Sequence, residues 1–354
     1  MTGSPLAKRS TRKRPQLPRP AILGCIGAGY AVMAAIFAVT PWQGTADFIV
    51  AGAASAVIVL AITSAVVEGR RRAKDRVAAS LISMSLVVML LPLLFTIGYT
   101  IKRGITRLSW TFLTHDGTGV GPLSAGGGIS HAIIGTLEQV GIATVITVPL
   151  GLLVAIYLVE YGRGPLAMAM RFMVDVMTGI PSIVAGLFVL AFYVITVQGG
   201  GYSGFAGSIA LAIIELPIII RSSEEMLGLV PRSLREASYA LGIPKWKTIL
   251  RIVLPTSAAG IVTGVMLAIA RVAGETAPVL LTVGFVNYVN KNPFSNSQAS
   301  LATYIFQNIK LQGSFGGQYD VQRAWAGALT LIVLIIVFYV AARLMTRRNS
   351  LARR

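Results

Sequence analysis

The sequence predicts an all-α polytopic membrane protein of eight spans with both termini on the cytoplasmic side. Of its 354 residues 55% are hydrophobic and 12% charged, where soluble domains carry about a quarter charged residues. Apolar stretches near the roughly 20 residues needed to cross a bilayer alternate with polar loops. Of the 31 Lys and Arg, 24 fall in the N-terminal tail, at 70–76, at 160–171, at 221–251 and after 342. Six lie in the alternate loops, and Arg271 lies inside a span. Cationic loops stay inside, so this alternation sets the orientation. It also accounts for the +18 net charge without a nucleic-acid partner.

Residues 1–20 carry Lys8, Arg9, Arg12, Lys13, Arg14 and Arg19 with four prolines, a composition expected to stay a disordered basic cytosolic tail. A hairpin follows in a region bounded at 21–75, with spans at Ala21–Thr40 and Phe48–Val67 around a Pro41-Trp42-Gln43-Gly44 turn. Neither span has an interior charge, so both are expected to pack and face lipid. The single Cys25 excludes an intramolecular disulfide and is expected to be a packing residue.

The main transmembrane domain is expected over 76–354. Its first span, Val77–Ile101, contains Pro92 as a kink. A Gly-rich external loop with Trp110, Phe112 and Asp116 follows, either a surface for an external partner or a connector. The stretch Ile129–Val159 is too long for one straight crossing, so its first third, with Glu138, is expected at the outer interface. The span Phe172–Val197 contains Gly179-Ile180-Pro181-Ser182, a helix break of the kind that lines a pathway. Phe205–Ile220 carries Glu215-Leu216-Pro217, and Ile252–Gly284, again too long, carries Gly260, Gly264 and Pro278. The Gly260-x-x-x-Gly264 spacing is weak evidence for close helix approach in a chain with 37 glycines. A polar segment at 285–323 precedes the last span, Ala324–Leu344.

Between the sixth and seventh spans lies a polar loop, 221–251, expected to form two short helices. Ser233 with Glu236 reads as a capping box, and Gly242 with Pro244 as a stop. A helix of about two turns is unstable alone, so docking is expected to order it. Glu236, Ala237 and Gly242 suit a close protein contact.

No phosphate-binding G-x-x-x-x-G-K-[ST] loop occurs, so any ATP must be held by another chain. His115 and His131 are too few for a metal site, and no nucleophile–base pair stands out. The expectation is a transport subunit, not an enzyme, without cofactor. The strongest chemical signal is Arg271 with Glu275, four residues apart and expected on one helix face. A charge at mid-membrane costs about 2.5–3.5 kcal/mol on insertion scales and is usually retained for a pathway or partner. A guanidinium fork suits an oxyanion; an ion pair that merely joins helices is the alternative.

The loop residues Glu236-Ala237-Ser238, Gly242 and Ile252-x-Leu254-Pro255 resemble the "EAA" loop of binding-protein-dependent ABC importer permeases. The run Ala268-Ile269-Ala270-Arg271-Val272-Ala273-Gly274-Glu275-Thr276-Ala277-Pro278 resembles the "R-x-x-GETAP" signature of the PstA permease family of phosphate ABC importers. Gly135-Thr136-Leu137, Pro149-Leu150-Gly151, Tyr157 to Tyr161, Gly179 to Val184 and Leu216 to Glu225 are similar to the same family. The resemblance covers about residues 77–345 and implies a six-span MetI-like core, so the hairpin at 21–67 is a departure. It further implies an inner-membrane subunit paired with a homologous PstC-type permease, two PstB-type ATPase chains and an external PstS-type phosphate-binding protein. The family's functional arginines fall on Arg221 and Arg271, with 221–251 as the coupling loop.

The function expected is therefore ATP-driven import of inorganic phosphate by alternating access. The rivals are an ABC permease for another oxyanion, such as sulfate or molybdate, and an ion-driven secondary transporter.

Overall fold

The computed structural model describes residues 17–40, 44–121, 123–315 and 317–351. The tail up to residue 16 and the Pro41-Trp42-Gln43 part of the hairpin turn lie outside the described residues. The described chain is helical, with two compact units, Met1–Ile97 and Gly98–Arg354. Seven helices are long and apolar enough to cross a membrane, and one bent pair makes an eighth if it is counted as a single span.

The first unit contains α1 (Arg19–Val39), α2 (Thr45–Val67) and most of α3 (Arg70–Gly104). Small residues let α1 and α2 meet backbone to backbone: a Cβ at Gly29 would lie 2.3 Å from the Ala56 Cα, and one at Gly52 would strike the Tyr30 ring. Ser55 donates to the Gly29 carbonyl across the same seam. At the α2–α3 junction Glu68 accepts from Arg76 Nε (2.8 Å), from Ser64 Oγ (2.7 Å) and from the Leu17 backbone N–H (2.8 Å). Leu17 is thus fixed, and helix begins at Arg19, inside the stretch expected to be tail. α3 runs through Pro92 without interruption.

The second unit is built on α5 (Ser130–Ile156, continued by a π turn at Tyr157–Tyr161) and α8 (Gly204–Gly228), which pack along their lengths with α11 (Leu254–Ala273) on α8. A core of Val140, Ala143, Leu211, Ile269, Val272, Val279 and Val283 joins these helices. α6 (Pro165–Gly179) and α7 (Ser182–Val189, with a π segment to Val197) meet at a bend of 101°. The bend falls on the expected break, because Ile180 and Pro181 are both extended. α9 (Arg232–Ala240) and α10 (Lys245–Thr248) follow α8, and α12 (Ala277–Thr282) follows α11.

Two expectations about the connecting segments change. α8 continues through Gly228, so residues 221–228 extend the helix instead of opening the loop. The segment after residue 285 contains α13 (Leu301–Phe315), which packs on α14 (Gln318–Leu351). With α4 (Trp110–Thr114) it builds a cap at the start of α5, where Phe112, Ile129, Leu301 and Tyr304 are buried together. Arg323 donates to the carbonyls of Ser124 and Gly126, both at 3.0 Å, so the Gly-rich loop is held to α14 and is more than a loose connector.

Candidate functional site

α9 begins where Pro231, with φ −57° and ψ 139°, turns the chain into the helix. Ser233 therefore lies inside the first turn, and the expected Ser233–Glu236 capping box does not form. The other end follows expectation. Gly242 takes φ +73°, its N–H donates to the Tyr239 carbonyl at 2.9 Å, and the Ile243 N–H donates to the Ser238 carbonyl at 3.2 Å. These two bonds make a Schellman stop.

One side of α9 is anchored. Arg235 Nε donates to Glu160 Oε1 at 2.9 Å and its Nη2 to the Leu227 carbonyl at 3.0 Å. Ser238 and Thr248 share a hydroxyl hydrogen bond at 2.8 Å. Lys245 donates to the Glu160 carbonyl and lies over the Tyr161 ring, 4.3 Å from its centroid. The other side is open: Glu236, Ala237 and Gly242 are exposed, together with Leu229, Leu234, Tyr239, Leu241 and Trp246. These exposed apolar side chains thus stand on or beside a helix that is anchored along its other side.

Arg271 occupies the last turn of α11, which ends at Ala273 with Gly274 as its cap. The Glu275 N–H bonds the Val272 carbonyl at 3.1 Å, and regular helix resumes only at Ala277. The expected shared helix face of Arg271 and Glu275 is therefore absent, because the helix stops between them. Among the described residues the Arg271 side chain is exposed and has no hydrogen-bond or ion-pair partner. Beyond the break, Pro278 packs so tightly on α7 that a Cβ at Gly186 would lie 2.6 Å from its Cα. Two broken elements, α6–α7 and α11–α12, thus meet at Gly186 and Pro278. Irregular backbone at membrane depth is tolerated where it is buried in protein or lines a cavity.

Arg221 lies elsewhere. It pairs with Asp175 of α6 and, at 3.5 Å, with Glu224, which also accepts from Arg171 at 3.2 Å. On the facing helix Gly264 abuts Ser222 and Gly260 abuts Met226, each closer than a Cβ allows, so the glycine spacing discounted above does serve helix approach. Arg271 is two turns past Gly264, about 10 Å along the axis at 1.5 Å per residue. Arg221 on α8 and Arg271 on α11 therefore stand at different levels along the two helices.

The family described as "binding-protein-dependent transport system inner membrane component" matches residues 147–351. The phosphate transport system permease protein PstA 1 of Mycobacterium tuberculosis is 46% identical over 289 residues, 80% of this chain and 92% of its own length. The chain belongs to the PstA permease family. A second member, PstA of Yersinia pestis, is 41% identical over 281 residues, 79% of this chain and 92% of its own. A bacterial alginate ABC transporter, solved with an alginate-pentasaccharide-bound periplasmic protein, aligns at TM-score 0.52 and 15% identity over 78% of this chain and 96% of that one. That likeness shows the fold. As a PstA-family permease the chain is a multi-pass inner-membrane component of an ABC transporter.

In this PstA-family chain several residues near the site were not singled out from sequence. Glu160 and Arg235 are 75 positions apart, and only the fold brings them together. Asp175 and Glu224 hold Arg221. Glu215 is fully buried and lies 3.0 Å from both Thr144 Oγ1 and Thr147 Oγ1 of α5; the Glu215-Leu216-Pro217 run marked its position but not its partners.

Proposed function

We propose that the chain is the PstA-type subunit of an importer of inorganic phosphate, forming the path with a homologous permease. ATP hydrolysed on a separate ATPase dimer drives the cycle, and an external binding protein delivers the anion. Both termini and α9 face the cytoplasm in this reading, as the distribution of Lys and Arg requires.

The observation that carries the reading is Arg271: an exposed guanidinium beside a helix break, with no hydrogen-bond or ion-pair partner among the described residues. A permanently charged, planar donor offsets part of the desolvation of a multiply charged oxyanion and pairs with two of its oxygens. Glu275, within the break between α11 and α12, positions Arg271 or changes its exposure as the half-helices move. Arg221, tied to Asp175 and Glu224, acts at the cytoplasmic mouth, where its cluster joins α6 to α8. Glu236, Ala237 and Gly242 form the surface that the ATPase engages, and the Arg235–Glu160 tie carries its motion to α5. The relatives named above as phosphate transport system permeases support the choice of anion.

The test is uptake of labelled phosphate by vesicles holding this chain, its partner permease and the ATPase dimer, with binding protein outside and ATP inside. Uptake must need internal ATP and persist with an ionophore present. Arsenate should compete and sulfate and molybdate should not; accumulation of sulfate instead of phosphate would move the chain to another oxyanion.

A further inference from the structure

We propose that the cleft between α1, α2 and the first half of α3 holds an anionic glycerophospholipid, its phosphate on Arg72 and an acyl chain along the groove. An apolar cavity of about 430 Å³ runs between these helices, walled by Ile22, Tyr30, Ala56, Leu60, Ala79 and Ser83. A second cavity of about 280 Å³ is lined by Glu68, Arg72, Asp75, Arg76 and Ala79. Arg76 and Ala79 belong to both walls, which places a charged vestibule at one end of an apolar groove.

Arg72 Nη1 is buried and has no hydrogen-bond partner among the described residues. Leaving a charged donor so is costly. No described residue satisfies it. Glu68 is committed to Arg76, Ser64 and the Leu17 N–H. Asp75 is exposed and makes no ion pair with Arg72. Residues 1–16 contain no Asp or Glu, so the tail cannot supply a carboxylate. From 68 to 76 the chain has five basic side chains, at 70, 71, 72, 74 and 76, against Glu68 and Asp75. Three of them stand in the first turn of α3, where the helix dipole repels cations and favours an anion. Basic clusters beside a membrane span recruit anionic headgroups, and the apolar groove between membrane-crossing helices accepts the attached chain.

The test uses the full-length chain in detergent, with phosphatidylglycerol or phosphatidylcholine added and bound lipid read by native mass spectrometry. A photoreactive side chain at Ser83 locates the site. The wild type should retain phosphatidylglycerol about tenfold over phosphatidylcholine, the scale of one charge-assisted hydrogen bond. Arg72→Gln should remove that preference and Arg72→Lys keep part of it. Ser83→Trp, which leaves Arg72 intact and fills the groove, should also lower retention. Equal retention by wild type and Arg72→Gln, or by wild type and Ser83→Trp, overturns the proposal. So does displacement of the lipid by excess inorganic phosphate, or crosslinking at position 83 to a second copy instead of lipid.

Discussion

Arg235 of α9 meets Glu160, at the end of α5, at 2.9 Å, with side-chain exposures of only 13% and 5%. The same guanidinium bonds the Leu227 and Val230 carbonyls, so one residue binds the end of α8, the start of α9 and the π turn that closes α5. Breaking a buried pair from one side costs about 3–5 kcal/mol. Arg235→Ala should therefore raise amide exchange across 232–240 and abolish ATP-driven uptake while the chain stays inserted. Arg235→Met with Glu160→Met should recover much of the protection, since apolar replacement of both partners is tolerated. Unchanged exchange in the single variant would remove the pair from the role given to it.

Glu236 and Gly242 separate surface from stability. Glu236 is exposed and makes no side-chain hydrogen bond or ion pair among the described residues, so Glu236→Lys should change stability little, within about ±0.5 kcal/mol, yet stop coupled uptake. Gly242, at φ +73°, is a conformational requirement, and a side chain there costs about 1–2 kcal/mol. Gly242→Val should lose both the α9 stop and coupling. Full uptake in both variants would exclude α9 as the ATPase contact.

Glu68 predicts a pH response. The hydrogen bonds from Arg76, then from the Leu17 N–H and Ser64, hold its carboxyl well below the usual carboxylate range. The folded value lies under the unfolded one. The stabilisation is then complete above the unfolded value, near 4.5, and is lost as pH falls through the folded one. Melting of the full chain should not lose this contribution between neutrality and about pH 5, and should lose it only in stronger acid. Glu68→Gln should be less stable at neutral pH and lack the acid-dependent part. An identical pH profile for the two would show that the α2–α3 junction does not depend on the carboxylate.

Local chemistry was legible where one residue decides the backbone. Gly179 to Ser182 marked the 101° bend, and Gly242 marked the end of α9. Ser233 misled because Pro231, two positions before it, starts the helix. Arg271 and Glu275 misled for a related reason: an i, i+4 spacing implies a shared face only if the helix runs on, and Gly274 ends it. The ties of Arg235 to Glu160 and of Glu215 to Thr144 and Thr147 join positions about 70 apart, 75 in the first case and 71 and 68 in the second. No local pattern encodes such pairs; they follow from the packing of α5, α8 and α9.

The break after Arg271 also changes what its variants should do. On a continuous helix, an Arg271–Glu275 pair would hold itself together, and removing both charges could leave an active protein. With the helix ended at Ala273 and no hydrogen-bond or ion-pair partner on the guanidinium among the described residues, Arg271→Gln breaks no such bond there. It should leave assembly and melting within about 0.5 kcal/mol of wild type while abolishing phosphate uptake. Arg271→Lys keeps the charge but not the two-pronged geometry, so it should restore uptake poorly. Arg271→Gln with Glu275→Gln should assemble and remain inactive. Uptake by vesicles carrying each variant, alongside purification of the complete complex, checks all three. Recovery of phosphate uptake in the double variant would make Arg271 structural, and would leave the anion to backbone amides, helix ends or the second permease.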